Sequence, residues 1–167
     1  DLLIDSNSDG VPDGFTYQNA TDISLTNGIA KFTATAQKGS ISLVNRDIFT
    51  ANGYYYSFAR VKCDTSNSAY IWQRGTKIFH SGSNEFEFLS AVALQDNISN
   101  IAKVSDNRTS DFTPIEVDYI GAINITDLVS RGILPSGLTN AQYKEMLDNA
   151  IYNNVPLRES DYISVEP

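Results

Sequence analysis

The 167-residue chain has one cysteine, one histidine, one methionine and one tryptophan, and these scarcities close off several kinds of chemistry. Cys63 has no partner, so no intramolecular disulfide framework exists. It lies in an apolar strand pattern and reads as a small buried hydrophobe. A nucleophilic thiol needs an imidazole beside it, and His80 is the only one available, which argues against Cys/His catalysis. Cationic residues are few and scattered: 12 Lys and Arg against 20 Asp and Glu give a net charge of −8. That balance excludes nucleic acid and an anionic membrane surface as partners, because phosphate binding needs clustered Lys and Arg. No apolar run approaches the length of a membrane span. No signal peptide is visible, and the chain starts at Asp1 without a Met, as an excised domain or a processed chain does. No Gly-x-Ser-x-Gly elbow, phosphate loop or His-rich metal motif appears. Glu85, Glu87, Glu116 and Asp118 sit at alternating strand positions, as solvent-facing residues do, and not as a glycosidase-like pair. No enzyme is expected.

What is present is aromatic and β-branched, with Tyr (9) and Phe (8) as the main large side chains; that mix favours strands. After an Asp/Asn/Gly/Pro-rich loop over residues 1–15, strand-like pieces recur with turn signals between them: 23–25, 29–35, 41–44, 54–63, 70–73, 77–80, 85–94, 99–104 and 114–125. Asn27-Gly28 between alternating runs is a hairpin cue. Even spacing without helical periodicity predicts an all-β, antiparallel jelly-roll β-sandwich over 1–125. From Thr126 the texture changes. Thr126 to Gly132 reads as one capped helical turn stopped by glycine. Thr139-Asn140-Ala141-Gln142 is a capping box with Leu138 and Tyr143 as its hydrophobic staple. Tyr143, Met146, Leu147, Ala150 and Ile151 then follow at helical spacing. This predicts a short C-terminal α-helix within an extension over 126–152, packed on the sandwich or a neighbouring domain, with 153–167 as a tail or linker.

The sharpest local motif is Asp5-Ser6-Asn7-Ser8-Asp9-Gly10-Val11-Pro12-Asp13. Oxygen ligands recur at positions 1, 3, 5 and 9 of a D-x-[DN]-x-[DN]-G loop, with the Val11 carbonyl as a further donor. A calcium ion needs about six to eight oxygens. The twelfth position is Thr16 and not a bidentate Glu, so Asp118 or another late-strand carboxylate would have to complete the shell of Asp5, Asn7, Asp9, Val11 and Asp13. The alternative is an Asx-rich turn without metal. In either case the role is structural.

Alternation in Tyr54 to Cys63 turns Tyr55, Ser57, Ala59, Val61 and Cys63 to one face and Tyr54, Tyr56, Phe58, Arg60 and Lys62 to the other. Likewise Tyr70, Trp72 and Arg74 share a face. Sugars stack their C–H faces on aromatic rings, with cations and amides reading the hydroxyls. Tyr56, Phe58, Arg60, Tyr70, Trp72 and Arg74 are therefore candidate residues of a glycan platform. The competing reading makes the same rings sandwich core.

Three segments prompt a family comparison. Leu2-Leu3-Ile4-Asp5-Ser6-Asn7 running to Asp13-Gly14-Phe15, the strand Gly53 to Lys62, and Ile115-Glu116-Val117-Asp118-Tyr119-Ile120 resemble the opening, central and last strands of jelly-roll carbohydrate-binding modules. In that family an Asp in a Val-Asp pair often helps bind a structural calcium. The continuation through Ile123-Asn124-Ile125-Thr126-Asp127-Leu128, a Gly-containing link and Leu138-Thr139-Asn140-Ala141-Gln142 resembles domains of tail and receptor-binding proteins of phages. The link here, Gly132-Ile133-Leu134-Pro135-Ser136-Gly137, departs from their usual one. The resemblance implies a non-catalytic module in the virion or outside the cell. Its partners would be cell-wall polysaccharide and other virion proteins or domains, with a homo-oligomer among the assemblies the resemblance allows. A carbohydrate-binding module of a secreted bacterial glycoside hydrolase is the alternative.

Overall fold

The computed structural model describes residues 6, 8, 9, 11–43, 51–73, 76–96 and 102–152. Ten strands and two helices follow in order: β1 (Phe15–Gln18), β2 (Ala20–Thr26), β3 (Ile29–Ala34), β4 (Ser40–Leu43), β5 (Gly53–Lys62), β6 (Ala69–Gln73), β7 (Thr76–Phe79), β8 (Glu87–Gln95), β9 (Lys103–Asp106), β10 (Ile115–Asn124), α1 (Ile125–Ser130) and α2 (Asn140–Tyr152). The strands form two five-stranded antiparallel sheets. The first, sheet A, runs β1-β4-β9-β6-β7; the second, sheet B, runs β2-β3-β10-β5-β8. If β3 to β10 are counted as first to eighth, the shared part reads 2-7-4-5 in one sheet and 1-8-3-6 in the other. That is the interleaving of two Greek keys in a jelly roll. The predicted fold class is the observed one.

Local sequence explains several of the joints. Asn27 and Gly28 both adopt positive φ, 52° and 76°, as a two-residue type I′ hairpin demands, and so β2 returns as β3. On β5, Tyr55, Ala59 and Val61, and Cys63 just after it, do point into the space between the sheets. There they meet Phe32, Ile41, Ile71, Val104, Ile115 and Val117, all buried. The sequence reading missed β1, which begins at the end of the expected loop. It also placed the ninth strand early: pairing runs over Lys103–Asp106, and positions 97–101 lie outside the described residues, as does the predicted tail.

The C-terminal extension closes over sheet B. Asn124 ends β10 and caps α1 at once, its side chain accepting from the Asp127 N–H at 3.0 Å. After α1, Gly132 sits at φ 70°, with its N–H and that of Ile133 bonded back to Val129 and Leu128, a glycine stop. The capping box forms as the sequence predicts. Thr139 N–H donates to Gln142 Oε1 at 2.9 Å, and Gln142 N–H donates to Thr139 Oγ1 at 3.3 Å. Ile125, Leu134, Tyr143 and Leu147 then make a second small core with Tyr56 and Phe58. Each buried aliphatic side chain there contributes about 1.5–3 kcal/mol.

Candidate functional site

The rings expected to form one glycan platform stand on two different sheets. Tyr56 and Phe58 face outward from sheet B, but that outward face is covered. Tyr56 is 0% exposed and Phe58 9%. Their rings stack at 5.5 Å, and Phe58 also meets Phe88 and Tyr119 at 6.3 and 6.1 Å. The Tyr56 hydroxyl donates to Asp148 of α2 at 2.7 Å. Burial first, and then this bond to a carboxylate, push its ionisation well above the ordinary phenol value. Neither ring can stack a sugar, so their assignment to a ligand site is corrected: they are core beneath the helix. The parity of β5 was legible, but the lid that α2 makes on the far side was not.

Arg60, next along that face, is half exposed but committed. Its guanidinium binds Asp118 at 2.5 Å and lies 4.8 Å from the centre of the Phe86 ring. Lys62 pairs with Glu116 at 3.7 Å over the same ring. The open end of sheet B is therefore electrically balanced.

The outer face of sheet A differs. Ala69 and Ile71 of β6 enter the core, so Tyr70 and Trp72 point out. Register then aligns a row across the sheet: Gln18, Ser40, Ser105, Tyr70 and Phe79 are successive cross-strand partners. In the neighbouring row Thr16 pairs with Ser42, Ser42 with Lys103, and Trp72 with Lys77. Lys38, Tyr70, Trp72, Lys77, Lys103 and Ser105 line a groove of about 350 Å³. Tyr70 is its floor, 3% exposed, with the Lys77 ammonium 4.6 Å from its ring centre and Phe79 against its edge at 5.4 Å. Trp72 is half-buried and offers the accessible ring. Lys77 Nζ donates to Asn107 Oδ1 at 2.5 Å. Burial, and then the nearby Lys38 charge, lower the Lys103 pKa.

The backbone holds Lys38 in place. Its N–H donates to the Asp106 carbonyl at 2.8 Å, and the Asp106 N–H donates to Gly39 at 2.8 Å. A Cβ on Gly39 would lie 2.5 Å from the Asn19 carbonyl and 2.6 Å from the Ala34 Cβ, so only glycine lets this turn pack against Asn19 and Ala34. Asp106 is itself fully buried and clamped by Arg108 Nη2 at 2.6 Å. Of the six predicted glycan residues, then, only Tyr70 and Trp72 reach a common open groove; Arg74 lies outside the described residues. Sequence reading missed Lys38, Lys77, Lys103 and Ser105. Their alternation with apolar neighbours was a visible signal, but which strands sit side by side was not.

A second hollow of about 330 Å³ lies where Tyr54 faces Val129, Leu138 and Tyr143 of the extension. His80 is buried with both ring nitrogens engaged: Nδ1 accepts from Gly82 N–H at 2.8 Å and Nε2 lies 2.9 Å from the Glu85 carbonyl. Cys63 Sγ is met by the Ser68 hydroxyl at 3.3 Å.

In the acidic loop, Asp9 Oδ1 accepts from the Val11 N–H at 2.8 Å, and Asp13 accepts from the Ser6 N–H at 3.3 Å. The first is the contact of an Asx turn; the second closes the loop across seven residues. Asp5 and Asn7 lie outside the described residues. Among the described residues Asp118 does not join Asp9 and Asp13; its carboxylate pairs with Arg60, on sheet B. Among the described residues no three acidic, His or Cys side chains converge on a metal position.

No protein-family model and no curated protein matches the sequence. Solved structures with a similar outline are family 29 carbohydrate-binding modules. A variant made to probe ligand recognition has 15% identity over 72% of this chain and 87% of its own, with a TM-score of 0.49. A variant complexed with cellulohexaose has 16% identity over the same shares at 0.48. The module from Piromyces equi has 17% identity over 65% of this chain and 78% of its own at 0.42. At these values the likeness is one of sandwich outline; the ligands of those modules are their own.

Proposed function

We propose that this chain is a non-catalytic glycan-binding module whose ligand lies across the outer face of sheet A, in a virion tail protein that attaches to host cell-wall polysaccharide. The observation that supports the binding role is the groove itself. Trp72 offers a half-buried ring beside Tyr70 on the same strand, with Lys38, Lys77, Lys103 and Ser105 lining the same groove, the mix of apolar surface and few polar groups typical of ligand sites. The tail setting rests on the sequence resemblance. A carbohydrate-binding module of a secreted glycoside hydrolase would use the same groove, and the flanking parent sequence separates the two. A structural calcium on the loop at Asp9 and Asp13 is a secondary proposal supported by residue spacing alone. Its test is thermal melting with calcium and then with chelator, where an unchanged midpoint rejects it.

The binding role is tested on a panel of wall polysaccharides with Trp72→Ala as control. Wild type should bind at least one polysaccharide, and the variant should lose it while melting normally. Binding that survives loss of the indole would move the site elsewhere, and a panel with no binder would reject the reading.

A further inference from the structure

We infer that the groove on sheet A selects an anionic polysaccharide, one carrying a carboxylate or phosphodiester along its repeat. This rests on the glycan-binding reading and narrows its ligand. The chain carries a net charge of −8, and most of its described cations are already spent. Arg60 pairs with Asp118, Lys62 with Glu116, Arg108 with Asp106, Arg131 with Asp127 and Lys144 with Asp148. Lys38, Lys77 and Lys103 make no ion pair among the described residues, and all three line this one groove. The other described cation without a carboxylate, Lys31, stands apart on β3.

Three ammonium groups gathered in an acidic protein repel one another, and Lys103 shows the strain: burial and Lys38 both disfavour its charged form. Lys77 is partly compensated by the Tyr70 ring and Asn107, but the mutual repulsion of the three does not favour folding, and a carboxylate at any of the three positions would relieve it. An arriving anion relieves it too, and does so only when bound. The surrounding negative surface repels polyanions, so attraction is confined to the groove and has a defined place. Lys77 ties the charge to the stacking surface, because its ammonium rests on the Tyr70 ring while its stem crosses beside Trp72. An anionic sugar on Trp72 would therefore bring its charged group within reach of that ammonium.

The experiment uses the intact chain and a set of defined polymers: polygalacturonate and its methyl-esterified form, phosphomannan with its phosphodiesters, neutral dextran and mannan, and polyglutamate as a polyanion without sugar. Retention is measured by affinity electrophoresis and calorimetry at low and high salt. The expected result is binding to polygalacturonate or phosphomannan, with the preferred one identifying carboxylate or phosphodiester. Methyl-esterified polymer should bind about tenfold more weakly, since charge-assisted hydrogen bonds are lost. Affinity should fall with salt. Lys103→Gln and Lys77→Gln should each weaken binding several-fold, while Lys31→Gln, the same charge change on the other sheet, should not. Lys103→Gln should melt no lower than wild type, which separates a ligand role from a folding role. Binding to neutral polymers with no response to salt or to the Lys substitutions would overturn the anionic inference and leave the glycan reading standing. Equal binding to polyglutamate, indifferent to Trp72→Ala, would show bulk charge attraction and overturn it as well. Failure to bind every polymer would reject the glycan reading itself.

Discussion

Replacing Asp148 with alanine should release α2 from sheet B. The Asp148 carboxylate accepts from the Tyr56 hydroxyl at 2.7 Å, the Ser90 hydroxyl at 2.5 Å and the Lys144 ammonium at 2.5 Å. Tyr56 and Ser90 are 0% and 3% exposed, so both hydroxyls would be left without a partner away from bulk water. Each such loss costs about 1–3 kcal/mol. The Lys144 pair is half exposed and adds only a few tenths of a kcal/mol, roughly. The Asp148 side chain is 27% exposed, so water can reach part of the gap and the lower end of the range applies. The sum is about 2–4 kcal/mol, and at roughly 2–4 °C per kcal/mol for a chain of this size the midpoint should fall by about 4–16 °C. Tyr56→Phe removes one of the three bonds and should cost about 1–2 kcal/mol. Because the two residues touch, the double variant should cost less than the sum of the singles by about 1 kcal/mol. Chemical denaturation supplies the cycle, and hydrogen exchange should show α2 amides losing protection before the strands do. A midpoint within a degree of wild type with α2 still protected, or strictly additive energies, would refute the view that Asp148 pins the helix through Tyr56.

Two further outcomes follow from the fold. Burial pushes the Tyr17 phenol up to about 12 from 10.0; the unfolded chain then gives up its proton first, so stability should be intact below pH 10 and decline as pH climbs towards 12, read by urea midpoints at stepped alkaline pH, and a flat profile would contradict it. Gly82 sits at φ 85°, and a Cβ there would meet the Ser66 nitrogen at 2.1 Å; Gly82→Ala should therefore destabilise by about 2 kcal/mol or more, and an unchanged melting curve would mean the loop between β7 and β8 adapts freely.

Much of the sandwich was readable because its signals are local. Asn27-Gly28 specifies its own turn, and the alternation in β5 correctly sends Tyr55 and Val61 inward. Thr139 and Gln142 cap α2 from three residues apart. Phe15–Gln18 escaped notice because four residues beside an acidic loop give too short a pattern to stand out. The site was hidden for a different reason. Whether Tyr56 and Tyr70 share a surface depends on which sheet each strand joins, and that is decided by pairings between residues far apart in the chain. The same applies to Asp118: its place after Val117 resembled a calcium-binding pair, yet the bulge between Val117 and Tyr119 and the neighbouring Arg60 set the partner it has here. Lys38, Lys77 and Lys103 look scattered along the sequence and become a cluster only through the register of β4, β9, β6 and β7.

The direct passage of β10 into α1, with Asn124 serving both, gives the molecule a front and a back. Its aromatic back is upholstered by its own chain, while the front keeps its lysines without carboxylate partners among the described residues. A copy tethered through α2 would thus stand with its groove facing away from the support, and many copies fixed in that way would present a carpet of grooves pointing in one direction. Weak single contacts would then add along a polymer lying across several of them.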